Sequence, residues 1–182
     1  HISSWSTILI KANAALAGMG QTRRILLSDT LLADYSEDEI EVVLAHELAH
    51  HVHRDLWRGI AAQALLLFVG FFVADQVLRR VADGAGFRGL SDPAALPLLM
   101  WLAGAWSLLV LPFVNAMSRA QERAADRYAL HTTRNVDAFV TAMKRLSHQN
   151  LAEESPPALV RWVFYSHPPI RERIEAARDF AR

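Results

Sequence analysis

Between Asp92 and Arg119 the chain runs through "PAALPLLMWLAGAWSLLVLPFVNAMS" without one charged residue. Upstream, "GIAAQALLLFVGFFVADQVL", between Arg58 and Arg79, carries Asp75 as its sole charge. About twenty residues of helix measure about 30 Å, the thickness of a bilayer's hydrocarbon core. Two such runs in one chain of 182 residues constrain its folding more than any other feature, and both read as transmembrane helices. The competing reading is a helical hairpin buried inside a soluble protein, which would need a covering layer around both helices.

Pro97 and Pro112 do not oppose the membrane reading, because proline near a membrane helix end is tolerated and can bend it. Asp75 stands four residues before Arg79, the spacing of an ion pair on one helix face near the membrane surface. The connector "RRVADGAGFRGLSD", with its glycines and charges, reads as a polar loop. Two spans return the chain to the side it left. That side carries Arg54, Arg58, Arg119, Arg123 and Arg127, against Arg79, Arg80 and Arg88 in the connector, which favours a cytoplasmic catalytic side.

Charge and cysteine content narrow the remaining functions. Lysine plus arginine and aspartate plus glutamate number 19 each, so the chain lacks the basic excess that neutralises phosphates, and no nucleic-acid partner is expected. With no cysteine there is no disulfide framework, thiolate nucleophile or sulfur-ligated metal, which fits a reducing compartment. A start on His1 rather than methionine reads as an excerpt of a longer chain.

The chemistry concentrates in "EIEVVLAHELAHHVHRD", residues 39 to 55, which holds four of the eight histidines. Ser36 followed by Glu39 forms a capping box, Tyr35 and Ile40 a hydrophobic staple across it, and Glu37 and Asp38 favour the positive helix end. A helix over 37 to about 54 follows. Upstream, "STILIKANAALAG" and "RRILLSD" read as two strands of a small β unit joined by a turn at Gly18, Met19, Gly20 and Gln21. Downstream, "SRAQERAADRYAL" reads as helix, either separate or continuing the second span. "VDAFVTAMKRLSHQ" and "PPIRERIEAARDFA" give two more helices, with "AEESPPA" as the bend between them.

His46-Glu47-Leu48-Ala49-His50 matches H-E-x-x-H. Positions i and i+4 share a helix face, so both imidazoles can bind one zinc ion, while Glu47 projects beside it as a base for an attacking water. A catalytic zinc keeps three protein ligands and an open position. The extended motif that supplies a third histidine needs glycine and histidine where this chain has His53 and Leu56, so the third ligand lies elsewhere. Glu122 can supply it, with Asp126, four residues on, accepting the free ring N–H of a ligand histidine. By itself E-x-x-x-D is also the pattern of a solvated helix with Glu–Arg pairs. His51 and His53 fall off the metal-facing stripe and read as polar residues near the membrane surface. In "YSHPPIRERI", His167 is held by two prolines and is placed to donate to the oxyanion formed when water attacks a peptide carbonyl. A His-Pro pair alone is more often a turn.

Four motifs in order, "NAALAGMGQTRRILLSDTLL", "AHELAHHVHRD", "SRAQERAADRYA" and "SHPPIRERI", resemble the membrane-embedded gluzincins of metallopeptidase family 48. That group includes type-I CAAX prenyl endopeptidases and heat-stress membrane proteases. The resemblance covers nearly the whole chain, including the long separation of Glu122 from His50 by two hydrophobic helices. It implies one Zn2+ per chain held by His46, His50 and Glu122, with Glu47 as general base. Asp126 would orient a ligand histidine and His167 would steady the tetrahedral intermediate. It further implies substrate contacts at Asn13, on a strand beside the peptide, and at Arg173, near the peptide's C-terminal end. The run into "RRILLSDTLL" is closer to the CAAX-type members, whereas "HISSWSTILIKA" departs from their basic, serine-rich lead-in.

The expected fold is mainly α with a small β unit, an α+β zincin-like (gluzincin) core interrupted by a two-helix transmembrane hairpin. Its parts would be a β unit over 1–35, the histidine-motif helix over 36–58, the membrane hairpin over 59–117, and the Glu-ligand and C-terminal helices over 118–182. The expected function is zinc-dependent hydrolysis of peptide bonds by a multi-pass membrane endopeptidase whose partners are a peptide or protein substrate and the lipid bilayer. A membrane quality-control protease is the nearest alternative, and a non-catalytic zinc-holding scaffold or sensor a more distant one.

Overall fold

Ser36 starts the helix that carries the histidines, and the cap has the expected form. Its Oγ accepts from the Glu39 backbone N–H at 3.3 Å, and the Glu39 carboxylate accepts from the Ser36 N–H at 2.8 Å. The structure is a computed structural model and describes residues 2–5, 14–17, 24–85, 92–150 and 157–182. Strands β1 (Ile2–Trp5), β2 (Ala14–Ala17) and β3 (Arg24–Ser28) are followed by helices α1 (Asp29–Asp34), α2 (Glu37–Val52), α3 (Asp55–Ala85), α4 (Leu96–Thr133), α5 (Val136–Asn150), α6 (Ala158–Phe164) and α7 (Ile170–Phe180). A short 3-10 turn, Pro93–Ala95, leads into α4.

The strands form one sheet in the order β1-β3-β2. β2 runs antiparallel to β3, pairing Ala14 with Leu27 and Ala17 with Arg24, as a hairpin requires. β1 is an addition to the sequence reading: it pairs in parallel with β3, Ile2 opposite Ile25. The first expected strand, residues 6 to 18, is described only at 14–17; its residues 6 to 13, including Asn13, and the turn at Gly18 to Gln21 lie outside the described residues.

The core is built on α2. Val42 and Ala45 pack with Ala129 and Leu130 of α4, Phe139 and Met143 of α5 and Ala177 of α7. On a second side Val43 packs with Ala14, Leu27, Leu31 and Tyr35, with Ile40 against that cluster, so both partners of the expected staple lie there. Each large apolar side chain removed from water contributes about 1.5–3 kcal/mol. α2 is thereby fixed between sheet and helices.

The two apolar runs stand apart from this core. Helix over Asp55–Val81 and over Pro93–Thr133 is long and apolar enough to cross a membrane, and only 6 % of each apolar window is buried. Among the described residues nothing forms the covering layer that a buried hairpin would need. The two helices meet where Trp106 Nε1 donates to the Leu66 carbonyl at 3.2 Å, beside Gly70. The Asp75–Arg79 pair is present, with Arg79 Nε 2.9 Å from Asp75 Oδ2.

One feature corrects the sequence reading, and a second decides between two readings it left open. The polar connector was expected from Arg79, yet α3 continues through Ala85, because no proline or glycine stands between Arg79 and Gly84; residues 86–91 lie outside the description. α4 is continuous through Thr133, so the second apolar run and the helix of Glu122 are one rod of 38 residues. At 1.5 Å per residue it is about 57 Å long, nearly twice a hydrocarbon core.

Candidate metal centre

On α2 the buried positions Val42, Ala45, His46 and Ala49 form one stripe at helical spacing, and the stripe faces α4. α4 answers with Asn115, Arg119, Glu122 and Asp126, four buried polar residues at intervals of about one turn. Polar groups buried in such a row are retained only when each has a partner.

His46 Nε2 and His50 Nε2 each lie 3.5 Å from an oxygen of Glu122, His46 from Oε2 and His50 from Oε1. One ligand atom from each of the three residues can be chosen so that all lie within 4.8 Å of one another. The rings stand edge to face, centroids 5.0 Å apart. Each presents Nε2 because a carboxylate engages its Nδ1. His50 Nδ1 is 2.9 Å from Asp55 Oδ2. His46 Nδ1 is 3.0 Å from Asp126 Oδ1, an ion-pair distance that falls outside strict hydrogen-bond geometry.

Three observations fit a divalent cation here. Tetrahedral zinc with bonds near 2.0–2.1 Å sets its ligands about 3.3 Å apart, close to both imidazole–carboxylate separations. Glu122 Oε2 is buried with no hydrogen-bond partner, a state that is costly unless something positive approaches it. The electrostatics also favour positive charge. Burial works to lower the His46 pKa, but the carboxylates of Asp126 and Glu122 outweigh it and raise the ring to about 9.

Glu47 is half-buried next to this cluster on α2. Burial pushes its carboxyl above the ordinary value, with His46 and His50 pulling it back and Glu122 adding to the rise. A carboxylate so placed is a stronger base than one in water. His167 approaches from the open side: its side chain is 63 % exposed, with Nε2 3.6 Å from Glu122 Oε1. Its Nδ1 shares a 2.9 Å hydrogen bond with Ser166 Oγ. Arg173, from α7, grips Asp126 with two bonds, Nε to Oδ2 at 2.7 Å and a terminal N–H to Oδ1 at 2.5 Å. The same guanidinium lies 3.9 Å from Glu122. Asn13 lies outside the described residues. His53 stacks edge-on to Tyr128, ring centroids 5.9 Å apart, and is not in the ligand cluster.

The sequence reading missed Asp55, Asn115 and Arg119. Asp55 reaches back to His50 because Arg54 adopts a left-handed conformation, φ 56°, which turns the chain sharply after α2. Glycine usually marks such a bend, and none is present. Arg119 was counted as a charge at the membrane surface, but only 7 % of it is exposed.

Two bare apolar helices, a sheet-backed helix with paired imidazoles and a carboxylate completing the set define a class of helix-borne candidate metal sites beside two helices long and apolar enough to cross a membrane. The chain belongs to peptidase family M48, whose model matches residues 3–181. It is 38 % identical over 169 residues to an uncharacterised metalloprotease, YhfN, of Bacillus subtilis, covering 91 % of this chain and 40 % of that protein. It is 31 % identical over 174 residues to a CAAX prenyl protease 1 homolog of Arabidopsis thaliana, covering 94 % of this chain and 41 % of the relative. The crystal structure of S. mikatae Ste24p matches with a TM-score of 0.77 at 26 % identity, over 92 % of this chain and 43 % of that one. The chain thus spans about two fifths of the length of these relatives.

Proposed function

We propose that this chain carries the catalytic site of a zinc-dependent, multi-pass membrane endopeptidase with a gluzincin core, its catalytic side in the cytoplasm. The convergence of His46, His50 and Glu122 beside the free carboxylate of Glu47 carries this reading. The β unit over 1–35, the motif helix over 36–58, the hairpin over 59–117 and the remainder over 118–182 act together as one peptidase domain.

His46 Nε2, His50 Nε2 and Glu122 would hold one zinc ion per chain, which would supply Lewis-acid polarisation of the peptide carbonyl and a lowered pKa for the attacking water. Glu47 takes the proton of that water and passes it to the leaving amine. His167 donates a hydrogen bond to the oxygen on which charge develops. Asp126 and Asp55 hold the ligand rings in the tautomer that presents Nε2. Among the described residues β2 is at the edge of the sheet and packs against α2, so its outer backbone edge can align an extended peptide, and Asn13 precedes it in the sequence. Arg173 serves the C-terminal end of the substrate and, through its two bonds to Asp126, the orientation of His46.

For substrate, the resemblance and the Arabidopsis relative's name favour a CAAX-type prenylated peptide over a misfolded membrane protein. Glu47→Gln tests the chemistry: the variant keeps stoichiometric zinc by metal analysis and loses peptidase activity by at least about a hundredfold. Wild-type cleavage rates in that variant overturn the assignment. Parallel assays with a farnesylated C-terminal peptide and a denatured membrane protein decide the substrate class.

A further inference from the structure

α6 reads "ALVRWVF" and is almost entirely apolar, yet it buries none of its residues. Leu159 is 71 % exposed, Phe164 62 % and Trp162 52 %. A seven-residue helix has little stability of its own, so something must fasten it. The fastening comes from α4. Arg119 donates to the carbonyls of Arg161 and Trp162, both at 3.3 Å, and to that of Tyr165. Asn115 Nδ2 donates to the Val163 carbonyl at 2.6 Å.

A helix leaves its last four carbonyls without internal partners, and in water the solvent satisfies them at no cost to the protein. Here two buried side chains of a neighbouring helix are committed to that end. Such provision is needed where water is scarce, because in a bilayer every backbone polar group must be satisfied by the protein. The level is also set by the sequence: Arg119 is the first charged residue after the uncharged run from Pro93, so it marks the end of the apolar part of α4. α6 is therefore tied to α4 at the boundary between its apolar and its charged parts. Its composition suits that boundary, with an amphipathic tryptophan and a single charge, Arg161, drawn to 3.8 Å from Glu172 of α7.

The geometry points to α6 as an in-plane membrane element, with Leu159, Trp162 and Phe164 seated in the interfacial layer of a lipid bilayer. This rests on the proposed membrane reading of the two apolar helices. Its consequence reaches the site, because α6 runs through Tyr165 and Ser166 directly into His167. The lipid surface then holds one end of the segment that carries this imidazole.

These 182 residues hold no cysteine, so single thiols can be introduced here for nitroxide labelling once any cysteine elsewhere in the full protein is replaced. In the full protein, reconstituted in phosphatidylcholine vesicles, spin labels at Leu159→Cys and Phe164→Cys report collisions with oxygen, which partitions into lipid, and with a water-soluble nickel chelate. A label at Leu108→Cys, 67 % exposed on α4 within the second apolar run, is the reference. All three labels are expected to favour oxygen over nickel, those on α6 at shallower depth than that at 108. If 108 favours oxygen but α6 favours nickel, α6 faces water and the inference is overturned. Labels on α6 shielded from both agents place protein over it, another part of the chain or a second copy, and also overturn it. A label at 108 that favours nickel removes the membrane reading itself, and the inference with it.

Discussion

Asp55 ties His50, the second histidine of the proposed zinc site, to the fold through one 2.9 Å contact, and its own side chain is only 8 % exposed. Replacing its carboxylate by an amide keeps the size and removes the negative charge that favours an Nδ1–H on His50 and leaves Nε2 free. Asp55→Asn is therefore expected to weaken zinc binding by about 10–100-fold, the range typical of such supporting partners. Competition with a fluorescent chelator measures it; an unchanged affinity would show that His50 is oriented by something else. The contrast between Asp55 and the motif residues explains what the sequence makes legible. His46 and His50 could be paired from helix geometry alone, because i and i+4 always share a face. Asp55 lies five residues after His50, where no helical rule predicts contact, and it reaches the ring only through the left-handed turn at Arg54. Arg119 misleads for a related reason: its place at the end of an apolar run suggests a surface charge, and only α6, folded back onto α4, buries it.

Elements divide in the same way. α2, α5 and α7 and the two apolar helices announce themselves through caps, periodicity or length, whereas β1, α1 and α6 are each at most seven residues and owe their existence to contacts with distant chain. The cap of α2 carries a pH signature. Burial works to raise the Glu39 carboxyl, but the Ser36 N–H, Thr141 and Arg145 together hold it below its ordinary value. A carboxyl depressed in the folded state stabilises above its unfolded pKa, and that contribution is lost as pH falls through the folded one. Glu39→Gln is expected to cost about 1 kcal/mol at neutral pH, the scale of a capping interaction. The difference from wild type should shrink to nothing on acidification below the carboxylate range, as read by denaturant unfolding at several pH values. At the far end of α4 the chain reverses through Arg134, also left-handed at φ 51°. Glycine takes that conformation without the Cβ penalty, so Arg134→Gly should stabilise by about 0.5–1 kcal/mol with zinc affinity unchanged. Thermal unfolding checks the gain, and a loss would mean that the guanidinium does something the backbone does not reveal.

At the scale of the molecule, the continuity of α4 joins two regions that would otherwise be independent. The same helix that packs against α3 across the hairpin carries Glu122 into the proposed metal site, with Pro112 inside it between the two regions; if the helix carries load across that proline, a displacement in the apolar part reaches Glu122. A close approach in the hairpin is at Gly70, where an added Cβ would stand 2.6 Å from Trp106 Nε1. Small residues at helix interfaces permit such approaches where no hydrophobic force drives association. Gly70→Ala must push the indole away and break its bond to the Leu66 carbonyl, an overpacking that typically costs about 1–3 kcal/mol. Two measurements on the detergent-solubilised protein separate the consequences: thermal unfolding reports the hairpin, and chelator competition reports the metal centre. Both should weaken in Gly70→Ala. Adding Trp106→Leu removes the obstructing ring, so the double variant should recover part of what Gly70→Ala alone loses, a non-additivity expected only of residues in contact. If instead the hairpin weakens while zinc affinity holds, α4 bends between residues 106 and 122 and the two regions are mechanically separate.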